Sequence, residues 1–126
     1  MREIVLHTLD IVSALEYNIN MTSKIIKIAQ LSNGKCPFLK WLNSLDKVTQ
    51  GRVKSRLTRL YENNFGDHKK IDDEISELRL MFGSGYRIYY TEIDDVILLL
   101  INGGDKSTQS KDILTAKKIL NEWRNS

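Results

Sequence analysis

The stretch SELRLMFGSGYRIYY, Ser76–Tyr90, decides the fold. Two runs rich in apolar and aromatic residues flank Gly83, Ser84 and Gly85, the pattern of two strands joined by a glycine turn. Side chains alternate between the two faces of a strand. Leu78, Leu80 and Phe82 therefore share one face, and Glu77, Arg79 and Met81 share the other. On the second strand Tyr86, Ile88 and Tyr90 group together, opposite Arg87 and Tyr89. With the more apolar set turned towards the helices, Arg79, Arg87, Tyr89 and Glu77 converge on the face away from them. Two permanent cations in the middle of a small sheet then need a reason.

Downstream, VILLLI, Val96–Ile101, lacks alternation and reads as a central strand buried on both faces. NGGD breaks it. The connections through GSG and Asp94-Asp95 are short, so strands at about Ile75–Phe82, Tyr86–Glu92 and Val96–Ile101 pair antiparallel. A last helix, about Ser107–Trp123, buries Ile113, Ala116, Leu120 and Trp123. Upstream, KIIKIAQL, Lys24–Leu31, is rich in isoleucine and reads as a strand. Pro37 suits the first turn of a helix, where its missing N–H is no loss. Phe38, Trp41, Leu42 and Leu45 follow at helical spacing. Asp46 caps a second helix to about Tyr61, with Val53, Leu57, Leu60 and Tyr61 as its apolar face and Arg52, Arg56 and Arg59 as a basic stripe beside it. ENNFGDHKK reads as a polar loop.

The expected order is β-α-α-β-β-β-α over residues 21–126. This is an α+β domain with a small, mainly antiparallel sheet packed under an α-helical hairpin, followed by a C-terminal helix. Residues 1–20 read as an N-terminal extension, with Ile4, Val5, Leu6, Leu9, Val12 and Leu15 in an approximate helical stripe and Met21 as an alternative start.

A chain of 126 residues fits one domain. No apolar run is long enough to span a bilayer. The N-terminus, with Arg2 beside Glu3, does not read as a secretory signal. The single cysteine, Cys36, excludes an intrachain disulfide and fits a reducing cytoplasm; just before a helix it reads as a small filler. Net charge is only +3, but Lys24–Lys70 holds eleven Lys/Arg against three Asp/Glu. That half suits a polyanionic or acidic partner, and equally a solvated helix surface. His7 and His68 have no companions at metal-ligand spacing, so no zinc site is expected. NGGDKSTQ resembles an anion-binding helix N-terminus but lacks phosphate-loop spacing; it also reads as a tight turn capped by Asp105, Ser107 or Thr108.

Lys106, at the start of the last helix, joins Arg79, Arg87, Tyr89 and Glu77 to make a small cationic concavity with aromatic walls. Arginine gives planar, bidentate contacts to phosphate oxygens, and an aromatic ring stacks on an unpaired base. Such a site suits a phosphodiester. On pattern alone, ion pairing between Arg79 and Glu77 explains the same residues better.

Four segments carry a family resemblance: CPFLKWLNSLD, RLTRLYENNFGDHK, ISELRLMFGSGYRIYY and LLLINGGDKSTQSKDILTAKKIL. Together they resemble the RelE/ParE toxin superfamily, in its HigB-like, phage-derived "addiction module killer" branch, over roughly Lys24 to Trp123. The resemblance implies a RelE-like fold and the toxin of a type II toxin–antitoxin pair. Its partner would be a helix-turn-helix antitoxin, with operator DNA reached only through that complex and no membrane. RelE and HigB relatives are mRNA interferases: they cleave mRNA, usually in the ribosomal A site, with no metal or other cofactor. ParE relatives share the fold but poison DNA gyrase, and a degenerate toxin would only bind its antitoxin.

Residue by residue, Arg87 matches the family's sheet arginine at the scissile phosphate. Lys106 falls where a second basic residue stands, and Arg79 matches a basic strand position. Glu77 departs from RelE, which has lysine there. RelE's C-terminal catalytic tyrosine has no counterpart, the nearest position being Ile113. The proton acceptor is then Tyr89, or else His68, or the reaction relies on electrostatics and geometry. The implied catalytic set is Arg87, Lys106 and Tyr89. Arg79 positions RNA, and Arg52, Arg56 and Arg59 grip ribosomal RNA or form part of the antitoxin surface.

Overall fold

The computed structural model describes the backbone of Arg2–Val5 and residues 23–125. The strands are β1 (Arg2–Val5), β2 (Ile25–Gln30), β3 (His68–Lys70), β4 (Ser76–Leu80), β5 (Tyr86–Glu92) and β6 (Ile97–Gly104). Among the described residues the helices are α1 (Pro37–Ser44), α2 (Lys47–Tyr61) and α3 (Gln109–Arg124), with a 3-10 turn at Lys106–Thr108 leading into α3. All six strands form one sheet in the order β1-β2-β6-β5-β4-β3. β2 and β6 run parallel, and the other neighbours antiparallel.

Local chemistry explains the helix starts. Pro37 occupies the first turn of α1 as its fixed φ suggests. Asp46 caps α2: its Oδ1 accepts from the Thr49 amide at 2.8 Å and its Oδ2 from the Thr49 hydroxyl at 3.0 Å. That bonding holds the Asp46 carboxyl below the usual carboxylate range. Cys36 packs against the core before α1, and burial pushes its thiol up.

The sheet is covered on both faces. On one, Phe38, Val53, Leu57 and Leu60 of the helical hairpin pack on Ile26, Ile28, Leu78, Ile88, Tyr90, Leu98 and Leu100. On the other, Ala116, Ile119 and Leu120 of α3 pack on Ala29, Ile75, Tyr89, Leu99 and Ile101. Leu98 to Ile101 are all fully buried, as a central strand covered on both faces requires. This corrects one expectation: the face carrying Glu77, Arg79, Arg87 and Tyr89 is not free of helices, because α3 lies over part of it.

Three boundaries differ from expectation. Arg2–Val5 is a strand rather than helix, because the open edge of β2 offers its backbone a ladder. The rest of the proposed helical stripe lies outside the described residues. The end of ENNFGDHKK is the edge strand β3, whose three residues are all exposed, so no apolar alternation marks it. β6 runs on through Asn102, Gly103 and Gly104, which pair with Tyr89, Ile88 and Arg87. A register shift at Tyr89/Tyr90 leaves Ile101 as an extra residue. Ile101 and Asn102 therefore both turn towards α3, where Asn102 Nδ2 donates to the Asp112 carbonyl at 3.1 Å. At Gly103 a Cβ would stand 2.3 Å from the Trp41 ring, so only glycine admits that packing.

Two hairpins share one sequence device. Ile71-Asp-Asp-Glu-Ile75 joins β3 to β4, and Ile93-Asp-Asp-Val-Ile97 joins β5 to β6. In each, the first aspartate's Oδ1 accepts two backbone amides at 2.8 Å: Glu74 and Ile75 onto Asp72, Val96 and Ile97 onto Asp94. Each closes with the first isoleucine amide donating to the last isoleucine carbonyl at 2.8 Å.

Candidate functional site

The β4–β5 hairpin builds the site. Gly83 and Gly85 take φ of +56° and +75°, so the turn between Leu80 and Tyr86 needs glycine at both positions. The tight turn sets Arg79 directly opposite Arg87 across the strands. The Lys106 amide donates to the Ser84 carbonyl at 3.3 Å, tying the entry of α3 to the same turn. Arg79, Arg87 and Lys106 thus line one open cleft of about 370 Å³ with Phe82, Ser84 and Tyr86. Its aromatic wall is the tilted pair Phe82–Tyr86, with ring centroids 5.4 Å apart.

Two arginines paired directly across a sheet repel. Glu77 answers this. Its side chain is 1% exposed, with Oε2 3.5 Å from Arg87 Nε and Oε1 4.0 Å from Arg79 Nε. Gln109, in the first turn of α3, donates its Nε2 to Glu77 Oε2 at 3.1 Å. Arg79 also meets Asp67 at 3.2 Å, and Arg87 Nη1 donates to the Gly85 carbonyl at 2.8 Å. A buried carboxylate costs several kcal/mol unless paired and hydrogen-bonded, so the two guanidiniums and Gln109 are its condition for burial. The ion pairing favoured by the pattern is present, and the cationic cleft stands on top of it. Lys106 is exposed and has no salt-bridge partner among the described residues, leaving its charge available to an anion.

Other expected site residues lie elsewhere. Tyr89 is fully buried beneath α3 and its hydroxyl has no partner among the described residues. Burial pushes that phenol far above its usual range, and the Glu77 and Asp112 carboxylates push it further. It cannot meet a substrate, which corrects its assignment as proton acceptor. His68 sits opposite Leu78 on the helical-hairpin side, against the Phe65 ring at 5.3 Å, so it does not reach the cleft either. Arg56 is 6% exposed, with Nη2 donating to the Phe65 and Asp67 carbonyls at 2.7 Å and Nη1 to the Arg79 carbonyl at 3.1 Å. It is a clamp between α2, the loop and β4, which corrects its place in the RNA-gripping stripe.

Arg52 and Arg59 remain exposed. They line a second groove of about 500 Å³ with Val48, Ser55, Met81 and Phe82, where the Arg52 guanidinium covers Phe82 at 4.6 Å. Ile113, at the place of RelE's tyrosine, packs against the α3 core cluster. NGGDKSTQ is a capped turn: Asp105 Oδ1 accepts from the Ser107 amide at 2.9 Å, so a carboxylate already fills the helix entry. Sequence reasoning passed over Gln109 and Asp67. The helical spacing of Gln109, one turn from Lys106, was the available signal; nothing in the pattern ties Asp67 to Arg79.

No family model matches the chain, and no solved structure matches it. It is similar to an uncharacterized protein of Haemophilus influenzae, 43% identical over 86 residues that cover 68% of this chain and 87% of the relative. The chain therefore belongs to the same family as that Haemophilus influenzae protein.

Proposed function

We propose that the chain is the toxin of a type II toxin–antitoxin pair, a metal-independent mRNA endonuclease acting on the ribosome in the cytoplasm and neutralised by a helix-turn-helix antitoxin. The observation that carries this reading is the convergence of Arg79, Arg87 and Lys106 on one cleft with an aromatic wall. Arg79 and Phe82–Tyr86 seat the RNA strand. The 2′-hydroxyl attacks the adjacent phosphorus, its proton passes to water, and the P–O5′ bond breaks. Water returns a proton to the departing 5′-oxygen, so a 2′,3′-cyclic phosphate and a 5′-hydroxyl result. Arg87 and Lys106 meet the charge that rises on the non-bridging oxygens. With Tyr89 and His68 out of the cleft, the rate gain comes from in-line positioning and fixed charge rather than from a protein base.

A second reading, a non-enzymatic toxin of the gyrase-binding kind, is favoured by the groove beside α2, where Met81 and Val48 are 80% and 72% exposed next to Arg52. Expression with and without a neighbouring antitoxin gene, with mRNA 5′ ends mapped, separates the two. Growth arrest with codon-phased cuts, lost in Lys106→Ala, is expected. Lys106 makes no ion pair among the described residues, so its loss should leave the fold in place. Arrest with intact mRNA and blocked DNA supercoiling would sink the nuclease.

A further inference from the structure

We infer that Glu77 is a positioning residue of the cleft: its buried carboxylate braces the side-by-side guanidiniums of Arg79 and Arg87 at their Nε ends, while Asp67 takes Arg79 Nη2 and the Gly85 carbonyl takes Arg87 Nη1, leaving one Nη of each for a phosphodiester. The inference rests on the nuclease reading for its consequence in turnover, but its geometric content stands apart. Arg79 Nε and Arg87 Nε are both buried and, among the described residues, have no hydrogen-bond acceptor within good geometry. In each case the Glu77 carboxylate is nearby, at 4.0 and 3.5 Å. Gln109 fixes one oxygen of that carboxylate from α3 at 3.1 Å, which links the arginines to the helix that starts beside Lys106. One acidic residue therefore contacts both cations at their buried ends and lowers the net charge they present.

This makes an unusual signature. Glu77→Gln keeps shape and a hydrogen-bond acceptor but leaves the cleft one unit more positive. RNA affinity should hold or rise while turnover falls, because the cations remain but are no longer aimed. A residue that only supports the fold would lower both together.

The test measures three quantities on the full chain. They are the affinity for a 2′-O-methyl oligoribonucleotide, single-turnover cleavage of ribosome-bound mRNA, and exchange of the Arg Nε–H protons by nuclear magnetic resonance. For Glu77→Gln we expect unchanged or tighter binding, cleavage slower by at least about tenfold, and Arg87 Nε–H exchange faster by a similar factor. Should Glu77→Gln fail to fold, Gln109→Ala frees the same carboxylate from α3 and leaves both arginines in place; unchanged binding, slower cleavage and faster Arg87 Nε–H exchange are then expected. Unaltered exchange and cleavage overturn the inference, as does a parallel loss of affinity and cleavage with exchange unaltered. A wild-type chain that cleaves no mRNA overturns the nuclease reading alone, and the exchange rates then decide the role of Glu77.

Discussion

Arg56 and Arg52 stand one helical turn apart on α2, and the chain uses them for opposite purposes. Spacing alone put both on a basic stripe. What spacing cannot convey is the loop Phe65–Asp67 folding back over Arg56 and offering it the Phe65 and Asp67 carbonyls, the second shared with the Arg79 amide. Arg56→Ala should therefore lower stability by about 2–3 kcal/mol, read as a shift in urea midpoint, since buried acceptors lose a charged donor. Arg52→Ala should move the midpoint by less than about 0.5 kcal/mol. Tyr89 illustrates the same limit. Alternation put it on the face of Arg87, and that much holds, but which residues of that face α3 covers was not legible. Its hydroxyl is buried with no partner among the described residues, so Tyr89→Phe should leave the proposed toxin activity intact and stability unchanged or raised by about 1 kcal/mol. Loss of the proposed activity in a folded Tyr89→Phe protein would contradict this placement.

The elements were more legible than their ends. Pro37, the Asp46 cap, the uninterrupted VILLLI and the glycine turn each named its own structure through local chemistry, and those elements formed as expected. Strand ends depend on neighbours: β3 exists because β4 needs a partner, and β6 is prolonged because β5 still runs beside Asn102–Gly104. The repeated Ile-Asp-Asp-x-Ile was a readable signal for two identical turns, overlooked because it is only five residues long. It carries a pH dependence. Backbone amides hold the Asp72 and Asp94 carboxyls below their ordinary 3.8. A carboxyl whose folded pKa is depressed adds stability above its unfolded value and loses it as pH falls through the folded one. Stability should therefore be level down to about pH 5 and decline below about 4. Asp72→Ala should be less stable at pH 7 and show a shallower acid decline, measured as urea midpoint against pH. An unchanged slope would mean the turn carboxylates stay equally protonated in both states.

At the scale of the whole molecule, the three layers separate charge of different kinds. On the α3 side, charges are matched: Lys117 meets Asp72 at 3.1 Å and Arg124 meets Glu74 at 2.7 Å, stitching α3 to the β3–β4 turn. On the α2 side, Arg52 and Arg59 are exposed without salt bridges among the described residues, within the segment where eleven basic residues face three acidic ones. The cleft with Lys106 adjoins the α2 groove through their shared residues Leu80, Met81 and Phe82. On the proposed nuclease reading, an RNA strand lying across both would meet Arg52 and Arg59 as backbone grips and Arg87 and Lys106 at the reacting phosphate. The two sets then differ in a measurable way. Each grip that neutralises a phosphate releases a counterion, so Arg52→Ser/Arg59→Ser should flatten the plot of log affinity against log salt by about 1.4 for single-stranded RNA, while single-turnover cleavage at saturation stays as in the wild type. Lys106→Ala should do the reverse in emphasis, removing turnover with a slope change of about 0.7. If the double variant keeps the full slope and instead loses binding to the antitoxin, the α2 groove is the protein-binding surface and RNA enters the cleft from another side.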